Sequence, residues 1–371
     1  MAPLPAPIAA ELDRLRPAGA EVVDAHTHLG VDEDGSSLTP DELLAGLDAA
    51  GIARAWVFPL HDPQRAPAYR VPNDRVLQWA AASGGRLVPF CRLDPADGPL
   101  PELERCLARG ARGVKLHPRA QSFAFSEGLA DGIFAAAEEA GVPVLIHAGR
   151  GMPPIAEGLA RAALRHPRLV LVLAHAGIAD QALLVDLLRD HPGVLYDTSA
   201  FNVVDLRSLL ARVPPQRVVF GSDPPYGDPA AGLYVTLRAL AACGVDGDAT
   251  RAVLGATARA AERGGPLPQP TAPAAAEAVA LPADCLRVWG YALVSLGALL
   301  TGNPLGALEG VELALAACRD PAADGPGHDL AVLADLLAAA ATALSDPEGR
   351  REALHLLFLA AGHAATVPAP A

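Results

Sequence analysis

The run Val22-Val23-Asp24-Ala25-His26-Thr27-His28-Leu29-Gly30 is an apolar, strand-like stretch that ends in two histidines one residue apart. Residues i and i+2 of a β-strand point to the same side, so His26 and His28 can present both imidazoles to one ion. Asp24 falls on the same face, where it could orient a ligand by accepting its second N–H. Alone, a His-x-His pair is weak, because two solvated loop histidines give the same pattern. Here the pattern recurs: later apolar runs end in His61, in Lys115 and His117, in His147, in His175, in Asp197 and in Asp223.

Positioning such residues together takes a regular scaffold. Eight short apolar runs, the last reaching Val218-Val219-Phe220, alternate with helical stretches over about 240 residues, the pattern of a parallel sheet with helical crossovers. One helix start is explicit, since Thr39-Pro40-Asp41-Glu42 forms a capping box with proline at the first helical position. Closing the sheet gives a (β/α)8 TIM barrel, in which all strand C-termini meet at one mouth. An open doubly wound sheet would offer a Gly-rich loop after the first strand, where this chain has His-Thr-His.

The expected organisation is an N-terminal extension over 1–20, the barrel over 21–263, a Pro-rich linker over 264–276 and an all-α domain over 277–371. Breaks at Gly302-Asn303-Pro304, at Asp320-Pro321 to Pro326 and at Ser345-Asp346 divide that last part into about four helices, near 283–300, 305–318, 328–344 and 347–364. Its apolar stretch Val288 to Leu300 is shorter than the roughly 20 residues of a membrane span, so it reads as a buried bundle helix. No motif here carries chemistry. Dimer interface, lid and docking module stay open as roles, and so does a homo-oligomer.

With a net charge of −13 and no run of basic residues, nucleic acid and anionic membranes are excluded as expected partners, which leaves a small-molecule substrate. Five cysteines, odd in number and without a Cys-x-x-Cys pair, give neither a disulfide framework nor a thiolate zinc site and fit a reducing cytoplasm. The N-terminus lacks the basic and apolar regions of a signal peptide.

Taken in order, Asp24-Ala25-His26-Thr27-His28-Leu29-Gly30, Gly113-Val114-Lys115-Leu116-His117-Pro118, Val144-Leu145-Ile146-His147-Ala148-Gly149, Leu173-Ala174-His175-Ala176-Gly177 and Phe220-Gly221-Ser222-Asp223-Pro224 make the chain resemble the amidohydrolase superfamily. Within it, the chain is similar to the amidohydrolase-related group that includes aminocarboxymuconate semialdehyde decarboxylase and its hydrolase relatives. The resemblance covers roughly 22–262. It implies that His26, His28, His147 and Asp223 are metal ligands, with His175 either a second-metal ligand or a catalytic acid/base.

Such donors suit a divalent ion, Zn²⁺ foremost, which lowers the pKa of bound water to roughly 7. Asp223 is placed to take that water's proton; Asp228, nearer the next helix, is the better N-cap. His61, Arg92, Arg119, Arg150 and Tyr226 follow predicted strands, where they could hold a substrate carboxylate; His117, His61, Arg150 and Tyr226 are assigned to substrate. Lys115 is the only lysine among 29 basic residues, so it occupies a place where guanidinium does not serve. Either it is carbamylated and bridges two metals, as its resemblance to the Lys-Leu-x-Pro strand of dihydroorotases implies, or it pairs as an ammonium with substrate beside one metal. The single-metal site is preferred.

Three functions follow. The favoured one is hydrolysis of an ester, lactone or amide. Non-oxidative decarboxylation comes second, mildly disfavoured by an aromatic content of only 4%. Third is a barrel without catalysis that serves as a binding scaffold.

Overall fold

The computed structural model describes residues 3–199, 202–274, 281–319, 326–346 and 348–367. Eight barrel strands are present: β1 (Val23–Val31), β2 (Arg54–Pro59), β3 (Leu87–Pro89 continuing through Cys91–Arg92), β4 (Val114–Leu116), β5 (Val144–Ile146), β6 (Leu171–Leu173), β7 (Val194–Asp197) and β8 (Val218–Val219). Every neighbouring pair that forms a ladder is parallel, in two arcs, β1–β2–β3 and β3 to β8; a two-residue strand, Ser37–Leu38, adds antiparallel to the end of β1. Backbone bonds bridge the seams. Phe90 N–H donates to Val57 C=O (2.8 Å), and Ala25 N–H donates to Phe220 C=O (2.8 Å), joining β8 back to β1.

Helices follow the strands: α2 (Pro40–Ala49) to α8 (Val203–Leu210) succeed β1 to β7, and α9 (Pro229–Ala242), α10 (Gly247–Arg251) and α11 (Thr257–Glu262) succeed β8, after an N-terminal α1 (Ala6–Leu15). Of these, α7 is Gln181–Leu187. Thr39 and Glu42 form the expected capping box, and Asp228 caps α9 by accepting from Ala230 and Ala231 N–H. The barrel interior is filled by alternate residues, among them Val23, Ala25, Trp56, Phe58, Val88, Phe90, Leu145, Val172, Leu195 and Val219. Extending this alternation upward brings Arg92 two residues after Phe90, and Lys115, its register partner on β4, to the same side of the sheet.

One irregularity decides what the mouth contains. The β1–β2 register shifts between Asp24 and Thr27, a bulge that breaks the alternation and turns the strand so that Val23 and Ala25 fill the interior below while His26 and His28 face inward above. Thr27 Oγ1 holds the bulge by donating to Trp56 C=O (2.6 Å). Asp24 therefore does not share a face with the histidines. It bonds Ser222 instead, so the expectation that it orients a ligand imidazole is corrected.

Beyond the barrel come α12 (Ala283–Leu300), α13 (Pro304–Arg319), α14 (Gly327–Leu344) and α15 (Arg350–Ala364). The expected break at 320–325, Pro347 and the linker's last two residues lie outside the described residues. Both α12 and α14 are long and apolar enough to cross a membrane by length and composition; α12 buries Val288, Ala292, Leu296 and Leu299 within the helical region. A buried polar network docks these helices on α9. Arg238 bonds Glu11 of α1 (2.5 Å), Asp329 of α14 (3.2 Å) and Thr366 (2.7 Å), while Tyr234 Oη lies 2.6 Å from His363 Nδ1. The linker is tied down as well: Thr271 N–H donates to Gln216 Oε1 (3.0 Å) and Ala274 N–H to Leu210 C=O (2.9 Å).

Gly255 lies in a π turn between α10 and α11, where a Cβ would come 2.4 Å from the Glu21 carbonyl oxygen. Gly255→Ala should therefore lower stability by about 1–3 kcal/mol through forced backbone movement. Urea unfolding would show a lower midpoint at unchanged slope; an unchanged midpoint would contradict this tight packing.

Candidate metal centre

At the end of β1, the bulge brings His26 Nε2 and His28 Nε2 each to 3.1 Å from Asp223 Oδ1. Neither approach has hydrogen-bond geometry, and Asp223 Oδ1 and His28 Nδ1 are both buried without a hydrogen-bond partner. Three donor atoms that converge without a hydrogen bond between them are what an ion would explain, since ligands at 2.0–2.1 Å around a tetrahedral centre lie about 3.3 Å apart. The residues fit a divalent cation. Burial drives the His28 pKa down to about 3, so its imidazole is neutral, as ligation requires. Burial would raise Asp223, but the surrounding imidazoles, His26 foremost, hold it well below the usual carboxylate range.

His26 is oriented by Asp197, whose Oδ2 lies 2.7 Å from His26 Nδ1. That bond leaves Nε2 to face Asp223. Lys115 Nζ stands 3.2 Å from the same Nε2 and 4.6 Å from the centre of the Phe58 ring. Burial lowers the Lys115 pKa to about 7, while Asp223 opposes the shift. For His26, burial and Lys115 push down but Asp223 and Asp197 outweigh them, so its pKa rises. A cation at the site would compete with a proton for Nε2.

His147 and His175 form the neighbouring pair, with His147 Nδ1 3.0 Å from His175 Nε2. His147 also stacks on His117 at 3.8 Å between ring centres, and burial holds both far below the usual histidine range. Among the described residues, the three-donor groups are His26 with His28 and Asp223, and His26 with His175 and Asp197; His147 stands beside them. His175 and Asp223 both have left-handed backbones, φ 58° each. Such backbone costs on the order of 1 kcal/mol for a non-glycine residue and needs fixing bonds. They are present: His175 N–H donates to Asp197 Oδ1 (2.7 Å), and Asp223 N–H to His26 C=O (2.8 Å).

Around this centre the other predicted residues divide. His61 Nδ1 lies 2.6 Å from Tyr69 Oη and 3.3 Å from Arg92 Nη2, in a cluster on the β2–β3 side of the mouth. Tyr226 is half exposed, with its ring edge-on to His28 at 6.0 Å, and burial first and then the nearby Asp32 raise its pKa. Arg150 is exposed after β5, and its charge counteracts the burial that raises the Asp205 pKa. Arg119 lines a separate cavity of about 510 Å³ with Phe123, Phe125, Met152 and Ile155, whereas Gln121 bonds the Leu93 and His117 backbone. Sequence reasoning gave no role to Asp197, Ser199 or Tyr69. Asp197 had a signal, as the polar end of an apolar run, but Ser199 and Tyr69 had none.

A family model described as amidohydrolase matches residues 23–261. No curated protein matches the chain significantly. Among solved structures, 5-carboxyvanillate decarboxylase from Sphingomonas paucimobilis is 17% identical, with a TM-score of 0.52 over 66% of this chain and 99% of its own. A Pseudomonas putida protein provisionally assigned as a 2-pyrone-4,6-dicarboxylic acid hydrolase is 19% identical, with a TM-score of 0.51 over 66% of this chain and 98% of its own. An uncharacterised TIM-barrel protein from Bordetella bronchiseptica is 16% identical, with a TM-score of 0.50 over 60% and 82%. At these identities the likeness is one of fold.

The outer carboxylate gives a direct test. Asp197→Asn should weaken divalent-metal affinity by roughly 10–100-fold, because the amide no longer fixes the His26 tautomer. His26→Ala with His28→Ala should abolish binding. Metal content measured after dialysis that equals wild type in both variants would remove this centre as the metal site.

Proposed function

The chain belongs to the amidohydrolase family, and on that premise we propose that it is a metal-dependent hydrolase of an ester, lactone or amide whose substrate carries a carboxylate. The observation that carries this reading is the placement of Asp223. One of its oxygens completes the donor group with His26 and His28, and the other lies 4.0 Å from His175 Nδ1. A divalent ion held by that group, Zn²⁺ by donor chemistry, supplies Lewis acidity toward a carbonyl and a water of lowered pKa. Asp223, anionic at neutral pH, accepts the water's proton and passes it to the leaving group, with His175 beside it as the second proton carrier.

Arg92 supports the substrate's carboxylate. It is buried, its Nη1 donates to Pro59 C=O (3.2 Å), its Nε has no partner, and among the described residues no carboxylate lies within 4.0 Å of it. A buried cation without a counter-ion costs several kcal/mol, which a bound carboxylate offsets. His61 and Tyr226 flank that position, and His117 and Arg150 stay assigned to substrate further round the mouth. Lys115 acts in this reading as an unmodified amine beside one ion per chain. The free thiols are in keeping with a reducing cytoplasm.

Incubation of metal-loaded protein with carboxylate-bearing esters, lactones and amides should release acid. Carbon dioxide release from aromatic acids, with no hydrolysis, would favour the decarboxylase instead. For the substrate found, Asp223→Asn should lower kcat by roughly 10²-fold or more with little change in KM, and near-normal turnover would place the proton elsewhere. Arg92→Gln should raise KM roughly 30-fold or more, far less so for the substrate's methyl ester; equal losses for both would count against carboxylate binding. Intact mass and metal content should show one ion and no added 44 Da, since two ions and that mass, lost in Lys115→Arg, would mean a carbamate.

A further inference from the structure

At the N-terminal end of the barrel, opposite the metal centre, lies a cavity of about 270 Å³ lined by Arg54, Val88, Arg112, Arg259, Glu262 and Arg263. Arg54 opens β2, Arg112 precedes β4, and Arg259 to Arg263 close the last barrel helix. We propose that this cavity is a binding site for a compact polyanion, phosphoryl or polycarboxylate.

Charge is the first argument. Four guanidinium groups face one carboxylate, in a chain whose net charge is −13. The carboxylate is already engaged: Glu262 accepts from Trp56 Nε1 (2.9 Å) and Arg259 (2.6 Å), with Arg54 at 3.2 Å. Arg259 also faces Glu21 at 3.7 Å. For Arg112 and Arg263, both exposed, no carboxylate lies within 4.0 Å among the described residues. The Arg54 Nε–H is buried and has no hydrogen-bond partner, an unmet donor in the wall of the cavity. Like charges held around one space repel each other, and an anion taking several guanidinium forks would relieve that repulsion.

Size and lining restrict the ligand. The volume falls just under the roughly 300–1,000 Å³ of sites for drug-sized molecules, so it suits a pyrophosphate or a tricarboxylate. Among the described residues, Val88 is the sole apolar one in the lining, and none of them offers an aromatic face to a base. The recognised group is thus the anion itself rather than a nucleoside. Occupancy has a built-in reporter, because Trp56 bonds Glu262 with its indole N–H and stacks on Phe90 at 4.6 Å.

The test is titration of the full chain at low salt with pyrophosphate and, separately, with citrate, followed by calorimetry and by tryptophan emission. Wild type should bind one of them with 1:1 stoichiometry and a change in emission, and added salt should weaken it. Arg112→Gln with Arg263→Gln, both at exposed positions, should weaken binding about tenfold or more. Which anion binds tells phosphoryl from polycarboxylate recognition. Both anions also chelate metals, so binding that persists undiminished in the double variant belongs to the metal centre and overturns the proposal, as does absence of binding by either anion at low salt.

Discussion

A buried carboxylate holds the mouth of this barrel together. Asp197, at the end of β7, accepts from His26 Nδ1, from the His175 N–H, and from Ser199 through both N–H and Oγ. Burial alone would raise its pKa, but His26 first and then these bonds depress it, so it is an anion at neutral pH. Stripping water from a carboxylate costs several kcal/mol unless donors replace the water, and here they come from three different strand ends. The geometry of the donor group follows. The imidazole of His26 turns Nε2 inward, the left-handed turn at His175 is pinned, and Asp223 closes over the same His26 through its backbone.

Much of this could be read in the chain beforehand. Alternating apolar and helical runs give the barrel, because a parallel strand buried on both faces has few other ways to look. The convergence of His26, His28 and Asp223 follows once strand ends share a mouth. The faces within β1 could not be read. A bulge inserts its extra residue through backbone geometry, so strict alternation put Asp24 with the histidines when it bonds Ser222. Nor does an apolar run that ends in aspartate reveal that Asp197 meets His26, 171 positions away.

The arginine pocket was illegible for a different reason. A scan for basic patches looks for neighbours in sequence, and Arg54, Arg112, Arg259 and Arg263 stand mostly far apart along the chain. Parallel strands start at one end of a barrel and finish at the other, so residues that open strands gather as surely as those that close them. An aromatic column joins the two ends: Trp56 stacks on Phe90, Phe90 meets Phe58, and Phe58 packs edge-on against His28 at 4.6 Å.

The network that docks the helical region also bears on the order in which the chain assembles. Glu11 meets Arg238 across 227 residues, and Tyr234 meets His363 across 129. Contacts this remote must overcome the entropy of closing long loops before they return any energy, whereas each strand–helix–strand unit closes locally. The polar cluster is thus a late closure. Until it forms, Arg238 and Asp329 keep their water; once it forms, Arg238 ties α9 to α1 and α14, and Tyr234 ties α9 to α15.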